Sequence, residues 1–92
     1  MILSRGGKML EDTNLFDADE FQDELIKKTL EEVYDSLLER GYNPVNQIVG
    51  YLISGDPGYI SSYQNARGKL SEFDRSKVLI TVLKEYLNKW DT

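Results

Sequence analysis

The residues best equipped for chemistry lie in one stretch of twenty, Gly41 to Ile60, reading GYNPVNQIVGYLISGDPGYI. It concentrates four glycines, two prolines and three tyrosines, with Asn43, Asn46, Gln47 and Ser54 as neutral hydrogen-bonding side chains and Asp56 as its one charge. Tight turns around rigid amides and rings suit recognition rather than catalysis. The binding candidates are Tyr42, Asn43, Asn46, Gln47, Gly50, Tyr51, Ser54 and Asp56, with Arg67 just beyond. A phosphate cradle fits poorly, because the glycines lack GxGxxG or Walker spacing and no Lys or Arg falls inside the stretch. One carboxylate does not supply the several oxygens that calcium or magnesium needs.

The rest of the chain narrows the chemistry further. With no His and no Cys, zinc sites, disulfides, a thiol nucleophile and Ser-His or Cys-His pairs are excluded. The carboxylates from Asp12 to Glu39 read as a solvated helix face, since nothing apolar there would raise a pKa for acid–base work. No catalytic residue, metal or cofactor is expected. The chain reads as a non-enzyme.

Those residues must be positioned by a small domain. Ninety-two residues with 40% hydrophobic composition make one folded unit with a thin core. The net charge of −5 is uneven. Residues 1–46 hold eleven acids and five bases, net −6, and residues 47–92 hold five acids and six bases, net +1. Net acidity disfavours nucleic acid, whose phosphates call for clustered Lys and Arg. Arg67, Lys69, Arg75 and Lys77 form the one basic cluster, diluted by Glu72 and Asp74. No apolar run is long enough to cross a membrane and no signal-peptide core is present, so a cytoplasmic location is expected.

Residues 1–16 read as a flexible arm and 17–92 as a single helical domain. Met1–Lys8 is a loose lead-in, with Met9 offering a second start, and Glu11–Phe16 is acidic and ends on Leu15 and Phe16. A first helix is predicted from about Asp19 to Arg40, opened by Asp17 and Glu20 as a capping pair and closed by Gly41. Its stripe is Ile26, Leu30, Val33, Tyr34 and Leu37, with Phe21 and Leu25 left outside it. Asn43, Pro44 and Gly55 bound a second helix over Pro44–Ser54, burying Val45, Ile48, Val49 and Leu52. Its other face carries Asn46, Gly50 and Ser54; Gly50, mid-helix, calls either for a close backbone neighbour or for tolerance at the surface. Asp56 caps a turn leading to Tyr59, Ile60 and Tyr63. A short helix covers Asn65–Phe73 on Ala66, Leu70 and Phe73. A last one covers about Arg75–Lys89, its wide stripe of Leu79, Val82, Leu83, Tyr86, Leu87 and Trp90 backed by Lys77, Thr81, Lys84, Glu85 and Asn88. The expected fold is an all-α bundle of about four helices. Stripe width, a thin core and stranded Phe21 and Leu25 predict a homodimer.

The twenty-residue stretch, followed by Asn65-Ala66-Arg67, resembles the signature of the IreB family over about Glu11 to Leu87. That resemblance implies a small, all-helical, dimeric cytoplasmic regulatory phosphoprotein of Gram-positive bacteria. It implies a substrate of a membrane-anchored PASTA-type Ser/Thr kinase with an opposing phosphatase, in cell-envelope stress signalling and resistance to cell-wall antibiotics. The family's two acceptor threonines stand three residues apart ahead of an aromatic. Aligned on Phe16, the second falls on Thr13 and the first on Leu10, so one acceptor is kept and one is lacking. The downstream partner implied is a protein not named by the sequence. The alternative reading is a small helix-turn-helix DNA-binding regulator, with Asp56-Pro57-Gly58 between two short helices and Arg67 and Lys69 beyond.

Overall fold

The computed structural model describes residues 18–88, with side-chain environments from residue 20. Asp17, Thr13, the remainder of the arm and Trp90 lie outside the described residues. Four α-helices follow one another: α1 Ala18–Glu39, α2 Pro44–Ser54, α3 Ala66–Leu70 and α4 Arg75–Leu87. Two 3-10 turns, Pro57–Tyr59 and Tyr63–Asn65, join α2 to α3. The described chain is all-helical. No helix in it is long and apolar enough to cross a membrane.

Local sequence signals set most of these boundaries. Gly41, at φ 82°, closes α1 with paired bonds, its N–H donating to the Leu38 carbonyl and that of Tyr42 to Leu37. This is the double bond of a Schellman ending, which needs a left-handed residue. Asn43 Oδ1 accepts from the Asn46 N–H at 3.1 Å, and Pro44 opens α2 where no donor is required. Gly55, at φ 79°, ends α2 by donating to the Tyr51 carbonyl at 2.7 Å. Asp74 Oδ1 accepts from the Ser76 N–H and starts α4. The third helix is shorter than Asn65–Phe73: Tyr63–Asn65 is a 3-10 turn with Gln64 and Asn65 both left-handed, at φ 52° and 60°.

The core is α1's stripe of Ile26, Val33 and Leu37, closed by Tyr51 of α2, Ile60 of the loop, Ala66 and Leu70 of α3, and Val78 of α4. Leu30, Ile48, Leu52 and Phe73 pack on its margin. Two expected faces are corrected. In α2 the buried positions are Pro44 and Tyr51, whereas Val45 and Val49 are exposed. Apolar residues run nearly all round α2, so spacing alone could not choose its inner side; Gln47, bonded to the loop, does. Tyr34 of α1 is likewise 43% exposed.

The larger correction concerns α4. Its inner side is Val78 and Thr81, both fully buried, with Lys77 and Lys84 beside them. The stripe of Leu79, Val82, Leu83, Tyr86 and Leu87 points outward, with Tyr86 84% exposed. The polar back turns inward because α1 offers it a carboxylate. Asp23 is only 3% exposed and meets Thr81, Lys77 and Lys84. Thr81 bonds Asp23 and Lys27 bonds Glu85, both 58 residues apart, so the two helices run in the same sense along their seam.

Candidate functional site

The twenty-residue stretch folds onto itself. Ser54 Oγ donates to the Gly50 carbonyl at 2.7 Å and accepts from the Asp56 N–H at 3.0 Å. Asp56 Oδ1 takes the Gly58 N–H at 2.8 Å, opening the Pro57–Tyr59 turn. That turn lays the Tyr59 ring over α2, where a Cβ on Gly50 would stand 2.6 Å from Tyr59 Cδ1. The close neighbour that Gly50 admits is therefore a ring of its own chain, and the Asn46/Gly50/Ser54 face is partly roofed. Gln47 Oε1 accepts from the Ser61 N–H at 2.9 Å, and Arg67 Nε donates to the Ile60 carbonyl at 2.9 Å.

Of the expected binding residues, then, Gln47, Gly50, Ser54, Asp56 and Arg67 gather around one loop and spend polar groups or space holding it, while Asn43 caps the start of α2. Tyr51 lies in the core instead. Tyr42 and the side chain of Asn46 stay at the surface, apart from the loop's bonds. Sequence reasoning missed Arg75, whose Nη1 donates to the Leu52 carbonyl at 3.1 Å while the guanidinium covers Gly55. It carries no local signal. It also missed Asp23, although Asp23 sits three residues before Ile26 and so falls on α1's buried stripe.

The basic cluster is spread over internal contacts. Arg67 and Arg75 bond carbonyls, Lys69 lies 3.8 Å from Glu32, and Lys77 lies 3.5 Å from Asp23. A helix-turn-helix reader needs such groups presented together to phosphates. Among the described residues no three carboxylates are placed to hold a metal ion.

Two perturbed groups lie on the α1–α4 seam. Burial pushes the Asp23 carboxyl up, but the Thr81 hydroxyl and the charges of Lys77 and Lys84 outweigh it and hold the group below the ordinary carboxylate value. Lys27, at 3.0 Å from Glu24 and 3.3 Å from Glu85, is held above the ordinary lysine value, chiefly by Glu24. Asp23 meets a buried threonine hydroxyl and Lys27 two carboxylates. They fasten helices.

What the fold leaves open is apolar surface, on α4 and on the Val45, Val49 and Ile53 edge of α2. Contiguous exposed apolar surface of this kind marks an interaction site. Comparison with known families fits: the model described as IreB regulatory phosphoprotein matches residues 11–88. The chain belongs to that family. The match takes in the Glu11–Phe16 segment and all four helices, so the self-folded loop and outward α4 are features of a regulatory phosphoprotein.

Proposed function

We propose that this member of the IreB family is a non-enzymatic regulator that acts by protein–protein contact and is switched by phosphorylation of Thr13. It serves a membrane Ser/Thr kinase and the opposing phosphatase in the cytoplasm, in cell-envelope stress signalling and resistance to cell-wall antibiotics. The observation that carries the reading is the family match from residue 11, which includes Thr13 in Glu11-Asp12-Thr13-Asn14-Leu15-Phe16. Supporting it, Gln47, Ser54 and Asp56 of the Gly41–Ile60 stretch are engaged in holding its own loop, while broad apolar faces stay exposed.

The same surface supports a homodimer. Leu79, Ile80, Leu83 and Leu87 form one outward face of α4, each between 48% and 58% exposed. A second copy laid against that face would remove it from water, at roughly 25 cal/mol per Å² of apolar surface covered. Tyr42, Asn46 and the roofed Gly50 loop are proposed as a rigid recognition edge. The test of the function is phosphate transfer from the host's kinase to the purified chain. Transfer to the parent and its loss in Thr13→Ala are expected; equal labelling of both overturns the assignment.

A further inference from the structure

The α1–α4 seam opens outward into a groove that the dimer face does not use. A cleft of about 360 Å³ is lined on the apolar side by Leu30, Val82 and Tyr86, with Glu31 and Glu85 as its carboxylates. Beside it α1 alone presents a shallower patch of Leu30, Glu31, Tyr34 and Asp35. From Lys27 to Asp35 the cleft and the patch together follow roughly 12 Å of α1, at about 1.5 Å per residue. That length takes two to three turns of a third helix, and a trough between two helices running in the same sense receives one by its apolar stripe.

The rim decides what kind of helix. Glu31 and Asp35 make no ion pair among the described residues, and Glu85 shares the cleft with Lys27, which also pairs with Glu24. An acidic rim around an apolar trough complements a helix with leucine-type side chains on one face and Lys or Arg on its flanks. The chain's own segment from Glu11 to Asp17 is a poor occupant, because Glu11, Asp12 and Asp17 would meet like charge. The α4 helix of a second copy also lacks the flanks, since its Lys77 and Lys84 face Asp23 and its Arg75 bonds the Leu52 carbonyl.

We propose that the α1–α4 groove docks a cationic amphipathic helix of a partner protein, its apolar side chains entering between Leu30, Tyr34, Val82 and Tyr86 and its cations meeting Glu31, Asp35 and Glu85. This rests on the reading that the protein acts by contact, and it gives that contact an address and a chemistry. Phosphate added to the acidic arm would strengthen attraction for the same class of partner.

The probe is a labelled helical peptide of about 18 residues, some five turns, with Leu at i, i+3, i+4 and i+7 spacing and Lys elsewhere. Its counterpart carries Glu in place of each Lys. Fluorescence anisotropy with the full chain should give binding on the order of 10–100 µM for the Lys peptide and at least about ten-fold weaker binding for the Glu peptide. Glu31→Lys and Tyr86→Ala should each weaken the Lys peptide about five-fold or more. Glu72→Lys, with the same net charge as Glu31→Lys, should change it less than about two-fold. The proposal is overturned if the Lys peptide does not bind, if Glu72→Lys costs as much as Glu31→Lys, or if Glu31→Lys and Tyr86→Ala alter sedimenting mass instead of peptide affinity. Kinase labelling of Thr13 is unaffected by any of these outcomes, so the two readings fail separately.

Discussion

Thr81 Oγ1 donates a 2.7 Å hydrogen bond to Asp23 Oδ1, joining α4 to α1 through two side chains almost fully withdrawn from water. Lys77 approaches the same oxygen at 3.5 Å and Lys84 the other at 3.5 Å. A carboxylate so placed costs stability unless paired, and here three groups from one helix compensate it. The arrangement explains why α4 seats its polar side inward and leaves its leucines out.

Removing the carboxylate should therefore loosen α4. Asp23→Ala takes the acceptor from the buried Thr81 hydroxyl and the carboxylate from Lys77 and Lys84, and is expected to cost on the order of 3 kcal/mol. Because the Asp23 pKa is depressed in the folded state, its contribution is present above the ordinary carboxylate value and is lost as pH falls through the folded one. Chemical unfolding between about pH 2 and pH 7 should show a steeper acid limb for the parent than for Asp23→Asn. Parallel limbs would remove Asp23 from the account of acid sensitivity.

Gly50 and Tyr59 should behave as a coupled pair. Gly50→Ala gains about 1 kcal/mol of helix propensity but drives a methyl into the Tyr59 ring, 2.6 Å away at its nearest carbon. In the parent the substitution is expected to be neutral or destabilising; in a Tyr59→Ala background it should stabilise by about 1 kcal/mol. Thermal melts of the four variants give the coupling. Independent effects would mean that the ring swings aside at no cost.

The loop's side-chain bonds predict a structural role for Arg67. Arg67→Ala should cost about 1–2 kcal/mol by freeing the Ile60 carbonyl next to a buried side chain. Arg67→Lys should recover little, since a lysine does not present the Nε–H from the same position. If instead Arg67→Ala leaves the melting midpoint alone, Arg67 is free to serve a partner.

These relationships divide what was legible from what was not. The limits of α2 follow from Asn43, Pro44 and Gly55, each acting on its neighbours within four residues, and such signals survive in a bare sequence. The same holds for the Asp56 cap and the Gly41 ending. The seating of α4 does not. Periodicity gives a stripe and its reverse but not which one meets the core, and the Asp23–Thr81 bond that decides it spans 58 residues. Asp23 was readable only by counting it into the stripe of Ile26, Val33 and Leu37 despite its charge. Likewise Gln47, Gly50 and Asp56 look like a binding set because amides and turn residues serve ligands and loops alike. Only the position of Ser61 and Tyr59 shows them serving the loop.

Self-association through α4 has a direct test. Leu83 is 58% exposed at the centre of the outward face, so Leu83→Glu should leave the fold intact. Sedimentation equilibrium at high micromolar concentration should give about twice 10.6 kDa for the parent and about 10.6 kDa for the variant. Helical circular dichroism should be unchanged between them. A parent that sediments as a single chain sinks the dimer.

Phosphorylation of Thr13 should change the surface without melting the domain. The buried residues of the described chain all lie at or after Asp23, so their contacts with one another do not involve Thr13. The phosphate brings about two negative charges beside Glu11, Asp12 and Asp17, repulsion that acts over roughly 8–10 Å at physiological salt. Any contact of Leu15 and Phe16 with the body should weaken by about 1 kcal/mol, the scale of exposed charge pairs. Amide chemical shifts over residues 23–81 should therefore superpose for the two forms, while relaxation of residues 11–16 reports faster motion in the phosphorylated one. If the phosphate instead pairs with Lys27 or Lys28, relaxation of those residues slows, and the modification acts by ordering the segment. A lowered melting midpoint with shifts spread through α1 and α3 would place Thr13 within the structural frame, and the regulatory reading of this residue would fall.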